Sequence, residues 1–210
     1  MKTTKEQILT TALNMFAERG FDAVSTSMIA GELGITKGAL YRHFQNKQEI
    51  FDCIIQRMFE LDAERAEEGQ VPVKTYEESA DSYSQTEFPD FCEFVIGQFD
   101  FWTEDGFASA FRHMITIEQY KNPEMNRLFQ DVLAGGPVRY SENLLRELIE
   151  GGKLNETAAE KGPEYLAIEL YAPLQLMIQL ADGGEDREVL KKCLREITKD
   201  FEKRYQTGQM

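Results

Sequence analysis

A short stretch near the N-terminus combines a cation, a glycine, a phenol and short polar groups at helical spacing. The residues concerned are Thr36, Lys37, Gly38, Tyr41, Arg42 and His43. Lysine and tyrosine can reach phosphate oxygens, histidine can donate or accept, and a glycine lets the backbone approach a ligand closely. Together these groups suit the major groove of duplex DNA, which is about 12 Å wide and admits a helix.

Two short helices around a tight turn would present these groups outward. Apolar residues four apart mark the inward face of each helix, and they are Ile29, Leu33, Leu40 and Phe44. Gly34 supplies the turn, because glycine adopts positive φ without a Cβ penalty, and Thr36 is placed to cap the second helix. The pattern predicts a helix-turn-helix, and it favours DNA binding over a plain helical hairpin.

The segments on either side would hold this pair in place. A capping box at Thr4, or one at Thr3, predicts that a first helix begins near Thr4 and ends at Gly20. One of residues 25–27 caps the next helix, and Thr26 is the best placed of them to touch a phosphate. A fourth helix would run from about Lys47 to Ala66. The Lys47 side chain and the free N–H groups at the N-terminus of this helix would be available to a phosphate.

These residues carry a family resemblance. Gly20-Phe21, Thr26, Ile29-Ala30 and the run GITKGALYRHFQNKQEIF at 34–51 resemble the N-terminal DNA-binding domain of the TetR (tetracycline-repressor-like) family of transcriptional regulators. The resemblance implies an all-α fold, with a three-helix DNA-binding head over residues 1–47. A helical-bundle body that binds an effector and dimerises would follow over residues 48–210, and repression would be relieved by a small molecule.

The charge distribution restricts DNA binding to the head. The chain of 210 residues has a net charge of −14, whereas residues 1–50 carry six Lys/Arg against five Asp/Glu. The head is therefore nearly neutral and the rest strongly acidic, so a polyanion would be repelled by the body. A head with so little charge needs well-placed contacts and two copies acting together.

Several classes of protein are disfavoured. No HExxH, GxSxG, phosphate-binding glycine loop or dinucleotide fingerprint is present, and the only histidines are His43 and His113. We therefore predict no enzymatic activity, catalytic residue, metal site or cofactor. Three dispersed cysteines, the lack of a signal peptide and the lack of a long apolar run predict a cytoplasmic protein without membrane contact.

The body is predicted to be a bundle of helices. Residues 62–87 are polar and predict a loop or a short helix, and an aromatic segment follows over 88–111. Further helices are predicted over 108–121, 123–134, 137–150, 163–182 with a kink at Pro173, and 185–205. The break between the first two of these is Asn122-Pro123. The last two are amphipathic and could complete the monomer's core, but the resemblance favours a four-helix bundle with a second copy.

An apolar effector cavity is the predicted role of the aromatic body, although most of its aromatic residues could instead be core. The candidate ligand residues are Phe99, Trp102, Phe111, His113, Met114, Tyr140, Tyr171 and Gln175, with Met177, Arg112 and Glu118 as further possibilities. The resulting hypothesis is a homodimeric repressor that an unidentified, largely apolar small molecule releases from a double-stranded DNA operator. The alternative is a helical regulatory protein that acts through a protein partner without such an effector.

Overall fold

The described part of the chain is built from α-helices. The computed structural model describes residues 4–121 and 123–208, and within them it contains no β-strand, only an isolated bridge between Leu154 and Gln206. The helices are α1 (Lys5–Arg19), α2 (Thr26–Glu32), α3 (Lys37–Leu40), α4 (Lys47–Glu68), α5 (Ala80–Gln85), α6 (Phe88–Glu104), α7 (Gly106–Glu118), α8 (Pro123–Leu133), α9 (Gly135–Glu150), α10 (Glu156–Lys161), α11 (Pro163–Asp182) and α12 (Arg187–Tyr205). The predicted all-α fold is confirmed.

The helices group into two compact units. The first unit holds the chain up to Asp62 together with Asp105–Gln130, and the second holds Ala63–Glu104 together with the chain from Asp131 onward. Both α4 and α8 contribute residues to each unit. Helix α7 lies in the same unit as α1–α3, an association between distant segments that spacing alone does not predict. The functional boundary after residue 47 stays a prediction.

In the first unit, α1 packs against α7 and α2, and α2 packs against α3. Helix α1 begins with the predicted capping box, in which Thr4 Oγ1 accepts from the Gln7 amide at 3.2 Å and Gln7 Oε1 accepts from the Thr4 amide at 2.9 Å. The alternative cap at Thr3 lies outside the described residues. The apolar face predicted for α1 is fully buried at Ile8, Ala12, Leu13 and Phe16.

In the second unit, α11 packs against α9, α12, α6 and α10, while α5 packs against α9. The aromatic segment faces inward as predicted, with Phe88, Phe91, Phe99, Phe101 and Trp102 of α6 buried. The polar stretch after α4 contains one short helix, α5, as expected. Burial of apolar surface on this scale is the main stabilising contribution to such a bundle.

Capping side chains explain why α7 and α12 begin at other residues than predicted. Helix α7 begins two residues early because the Asp105 carboxylate accepts from the amides of Phe107 and Ala108, and Asp186 starts α12 at Arg187 in the same way. Helix α9 begins at Gly135, so Pro137 lies inside the first turn. Helix α10, capped by Asn155, was not predicted. The predicted break at Asn122 lies outside the described residues.

Within the part of the chain that the structure describes, no helix is both long and apolar enough to cross a lipid bilayer.

Candidate nucleic-acid interface

The predicted helix-turn-helix is formed by α2 and α3. Ser25 caps α2 by accepting from the Met28 amide at 3.2 Å, and Thr36 caps α3 by accepting from the Ala39 amide at 3.1 Å. Gly34 takes φ +64° between them, as the turn requires. The Ile35 amide then donates to the Ala30 carbonyl at 2.9 Å, which closes the end of α2. Local hydrogen bonds therefore define the ends of both helices and the turn of the helix-turn-helix.

The residues buried on one side of the helix-turn-helix are mostly those that the apolar spacing predicted, and the opposite side is exposed. Ile29, Leu40 and Phe44 are buried, while Leu33 at the turn is only partly so. Five of the predicted DNA-contacting residues are exposed, and Thr26 lies beside them partly buried. We call Thr26, Thr36, Lys37, Gly38, Tyr41 and Arg42 the recognition surface. His43 is half-buried and is not included.

A hydrogen bond joins the two helices across the recognition surface. Thr26 Oγ1 of α2 lies 3.3 Å from Tyr41 Oη at the end of α3, and Lys37 Nζ lies 5.5 Å from the centre of the Tyr41 ring. The Thr26 hydrogen bond lowers the pKa of Tyr41, and the charge of Lys37 lowers it further. Where Thr26 donates, the Tyr41 hydroxyl keeps its own hydrogen for a phosphate oxygen.

Lys47 is engaged elsewhere in this structure. Its Nζ donates to the Phe21 carbonyl at 2.8 Å and lies 4.1 Å from the centre of the Phe21 ring. At the start of α4, Asn46 Oδ1 accepts from the Glu49 amide at 2.9 Å, and the Glu49 carboxylate accepts from the Gln45 amide. The phosphate contact of Lys47 stays a prediction, and it requires the ammonium group to leave Phe21.

The candidate effector residues fall into both units. Phe111, His113 and Met114 lie on α7 in the first unit, and the remaining five lie in the second. Phe99, Phe111 and Met114 are fully buried, Trp102 is nearly so, and His113 is exposed with its Nε2 3.2 Å from Arg112 Nη2. Of the further candidates, Arg112 and Met177 are buried, and Glu118 binds the Phe21 amide.

Two of the candidate effector residues do meet. The Tyr171 hydroxyl donates to the Leu133 carbonyl at 2.9 Å and accepts from Gln175 Nε2 at 2.6 Å. Burial raises the pKa of Tyr171, so its hydroxyl stays protonated over the physiological range. Tyr140, by contrast, donates to the Pro72 carbonyl at 3.0 Å and packs near Tyr83. In these conformations both tyrosine hydroxyls serve internal hydrogen bonds.

Two cavities in the described residues are lined by residues other than the candidate effector residues. One cavity of about 510 Å³ lies against the end of α4 and the segment over residues 70–86, with a mostly polar lining that includes Glu67, Lys74 and Ser82. The other, of about 320 Å³, lies on α1 beside Leu33. The predicted apolar cavity stays a prediction.

No cluster of three or more potential metal ligands occurs within residues 4–121 and 123–208. The three cysteines are free, and burial raises the pKa of the Cys92 thiol, which makes it an inert packing residue.

Comparison with known proteins finds relatives of the N-terminal residues that form the predicted DNA-binding head. Residues 8–54 match the family described as bacterial regulatory proteins, tetR family. The Transposon Tn10 TetC protein of Escherichia coli is 38% identical over 63 residues, which are 30% of this chain and 32% of that protein. The HTH-type transcriptional repressor BepR of Brucella suis is 44% identical over 54 residues, 26% of each protein. The match therefore spans about a third or less of these relatives' length.

Comparison of whole structures extends the likeness to the fold of the chain. The SmeT–triclosan complex superposes with a TM-score of 0.69 over 97% of this chain and 91% of SmeT, at 22% identity. PfmR of Thermus thermophilus gives a TM-score of 0.64 over 99% and 100% of the two chains, at 21% identity. TetR-family regulators are non-enzymatic DNA-binding proteins, in line with the prediction from the sequence. Residues 8–54, which contain the helix-turn-helix, therefore match the tetR family of bacterial regulatory proteins, and the whole chain shares the fold of PfmR, which is described as a TetR-family transcriptional regulator.

Proposed function

We propose that this protein is a cytoplasmic, homodimeric transcriptional repressor that a small molecule releases from its operator. The recognition surface is the observation that carries this proposal. It combines two exposed cations, an exposed phenol, two threonine hydroxyls and a glycine on a helix-turn-helix, which are the groups that position a helix on phosphates and base edges. His43 and Lys47 border it and complete the set of proposed DNA contacts.

Exposed apolar residues on the last two long helices support dimerisation. Tyr165, Ile168, Leu176 and Leu180 of α11 recur at helical spacing and are 38–58% exposed, and Val189 and Ile197 of α12 are 64% and 38% exposed. We call these six residues the outer apolar stripe. Exposed apolar residues at helical spacing are typical of protein–protein contacts. Two copies would present two recognition surfaces to successive major grooves about 34–36 Å apart.

Related proteins support the effector part of the proposal. SmeT is described as the repressor of the multidrug efflux pump SmeDEF of Stenotrophomonas maltophilia, and it has been solved with triclosan. By analogy, an effector that prefers the conformation with poorly spaced heads would shift the population away from DNA. A coupling of about 1–3 kcal/mol, or 5–150-fold in affinity, is usual for such regulation.

A mobility-shift assay on the DNA upstream of the coding region tests the proposal. We expect the parent protein to retard this fragment, and we expect Tyr41→Ala and Lys47→Ala to weaken binding. Tyr120→Ala is the matched control, because Tyr120 is 87% exposed in the same unit but lies outside the recognition surface. Undiminished affinity in both variants would contradict the assignment of Tyr41 and Lys47 as DNA contacts. A parent protein that does not bind the fragment even at low salt would contradict the proposed function.

A second candidate function is a regulator that works through a protein partner without a small-molecule effector. It is favoured by one observation, which is that the hydroxyls of two candidate effector residues, Tyr140 and Tyr171, donate to the Pro72 and Leu133 carbonyls within the protein. A thermal-shift screen with hydrophobic compounds separates the two, because a compound that binds only the folded protein raises its melting temperature. No response across a broad panel would favour the partner-based function.

A further inference from the structure

The loop between α1 and α2 is held at a single residue by two distant helices. The Phe21 amide donates to Glu118 Oε1 of α7 at 2.9 Å, and the Phe21 carbonyl accepts from Lys47 Nζ of α4 at 2.8 Å. The Phe21 ring packs between the rings of Phe16 and Phe51, with centroids 5.2 and 5.0 Å away. All of these residues belong to the first unit. Both backbone groups and the ring of Phe21 are therefore fixed.

Glu118 is a charged residue whose burial requires an explanation. Its side chain is only 3% exposed, and a buried carboxylate is costly unless hydrogen bonds and an opposite charge compensate it. The Phe21 amide supplies one bond, and Lys121 Nζ supplies the second bond and the charge at 2.6 Å. This side chain was a candidate effector anchor in the sequence, but in the structure its Oε1 accepts from the Phe21 amide of the loop and from Lys121 Nζ.

Gly20 leaves the space that this arrangement needs. A Cβ at this position would lie 2.6 Å from Lys121 Nζ and 2.9 Å from Glu118 Oε1, closer than carbon approaches either atom. Gly20 also takes φ +82°, which lets its own amide close α1 on the Phe16 carbonyl at 2.8 Å. A side chain at position 20 would therefore have to displace the tips of the Glu118 and Lys121 side chains.

The loop residue that Glu118 holds lies just ahead of the recognition surface. Ser25, the cap of α2, follows Phe21 by four residues, and Thr26 begins the helix and contacts Tyr41. Because such a short segment has little slack, a displacement of Phe21 moves the start of α2. We propose that Glu118 is a positioning residue for DNA binding, which acts through the Phe21 amide to set where α2 and the recognition surface lie. This inference rests on the proposed function.

Three substitutions at position 118 separate the hydrogen bond from the charge and from packing. Glu118→Gln keeps an acceptor oxygen at the same distance along the side chain, Glu118→Leu removes the acceptor, and Glu118→Asp keeps the charge on a side chain too short to reach Phe21. We expect Glu118→Leu and Glu118→Asp to bind operator DNA about tenfold more weakly than the parent, and Glu118→Gln to stay within about threefold. Hydrogen exchange at the Phe21 amide should become faster in Glu118→Leu and Glu118→Asp but not in Glu118→Gln.

Glu18→Gln is the matched control, because it removes a carboxylate from the end of α1 whose side chain is 69% exposed and whose described partner is Arg19. Circular dichroism and the unfolding midpoint of each variant verify that the fold is intact, and Glu118→Asp provides the test if Glu118→Leu does not fold. Parental affinity in the Asp variant with fast Phe21 exchange would overturn the proposal, as would equal losses in the Gln and Asp variants. Failure of the parent itself to bind DNA would instead overturn the proposed function, and this inference with it.

Discussion

The recognition surface and the candidate effector residues are two sets of similar size that were predicted in different ways. The first set comes from one continuous stretch, residues 26–42, and the structure keeps it on one helix-turn-helix. The second set is spread over residues 99–175, and its members lie in two compact units. The contrast teaches that residues within a few turns of one another share a surface for local reasons, whereas distant residues meet only if the packing of whole helices brings them together.

Burial also differs between most members of the two sets, although His113 is exposed and Thr26 is partly buried. Tyr41 is 43% exposed, whereas Phe99 and Phe111 are completely buried. A protein uses exposed phenols and cations to contact a partner, but it uses buried aromatic rings first of all to fill its core. The experiments below test this division, beginning with the largest expected effect.

The largest effect is expected from breaking the outer apolar stripe. Leu176→Glu places a charge where two copies are proposed to pack, so we expect a shift from dimer to monomer in analytical ultracentrifugation. Operator affinity should fall by about 10²–10⁴-fold, because one head alone loses the gain from simultaneous binding. Tyr120→Glu makes the same kind of change at an exposed site of the first unit and should leave the dimer intact. A dimer in both variants would contradict the assignment of the interface.

The next effect concerns Phe99, the most buried of the candidate effector residues in the second unit. If its ring is packed core, Phe99→Ala should lower the free energy of unfolding by about 3–5 kcal/mol in urea denaturation. Phe94→Ala on the same helix provides the control, because Phe94 is partly exposed and should cost less. A loss below about 1 kcal/mol at Phe99 would mean that the ring faces open space, and it would favour an effector cavity there.

Tyr41 and Lys37 allow the recognition surface itself to be dissected. Tyr41→Phe removes one hydroxyl, so we expect operator affinity to fall about tenfold, while the dependence of affinity on salt stays unchanged. Lys37→Ala removes a charge and should reduce the slope of log affinity against log salt by about one. Equal slopes in the parent and in Lys37→Ala would show that this ammonium group does not contact a phosphate.

The smallest effect is expected at Thr26, whose hydroxyl lowers the pKa of Tyr41. Ionised Tyr41 repels phosphate and cannot donate, so operator affinity should decline as pH rises through the Tyr41 pKa. Thr26→Val removes the hydrogen bond and should move that decline to higher pH, with a change in stability within about 0.5 kcal/mol. Ultraviolet titration, with Tyr41→Phe identifying the Tyr41 signal, measures the shift. An unchanged titration midpoint would contradict the role given to Thr26.

Much of the first unit followed from the sequence. The capping box at Thr4, the cap at Thr36 and the positive φ of Gly34 are all dictated by residues three or four positions apart. The boundaries of α7 and α12 were missed by two residues because Asp105 and Asp186 proved to be the caps, although Asp is a favourable capping residue. Helix α10 was missed because six residues carry too little periodicity to identify a helix.

The sequence by itself determined the helix-turn-helix and the residues it exposes, because side-chain spacing, caps and one turn glycine act within a single turn of helix. Only the tertiary structure decided that Glu118 meets Phe21 across 97 positions, that α7 joins the first unit, and that Phe99, Phe111 and Met114 are buried. The physical reason is that a buried carboxylate or ring takes its partners from whichever helices pack around it. No periodicity within one helix carries information about the neighbour it will meet.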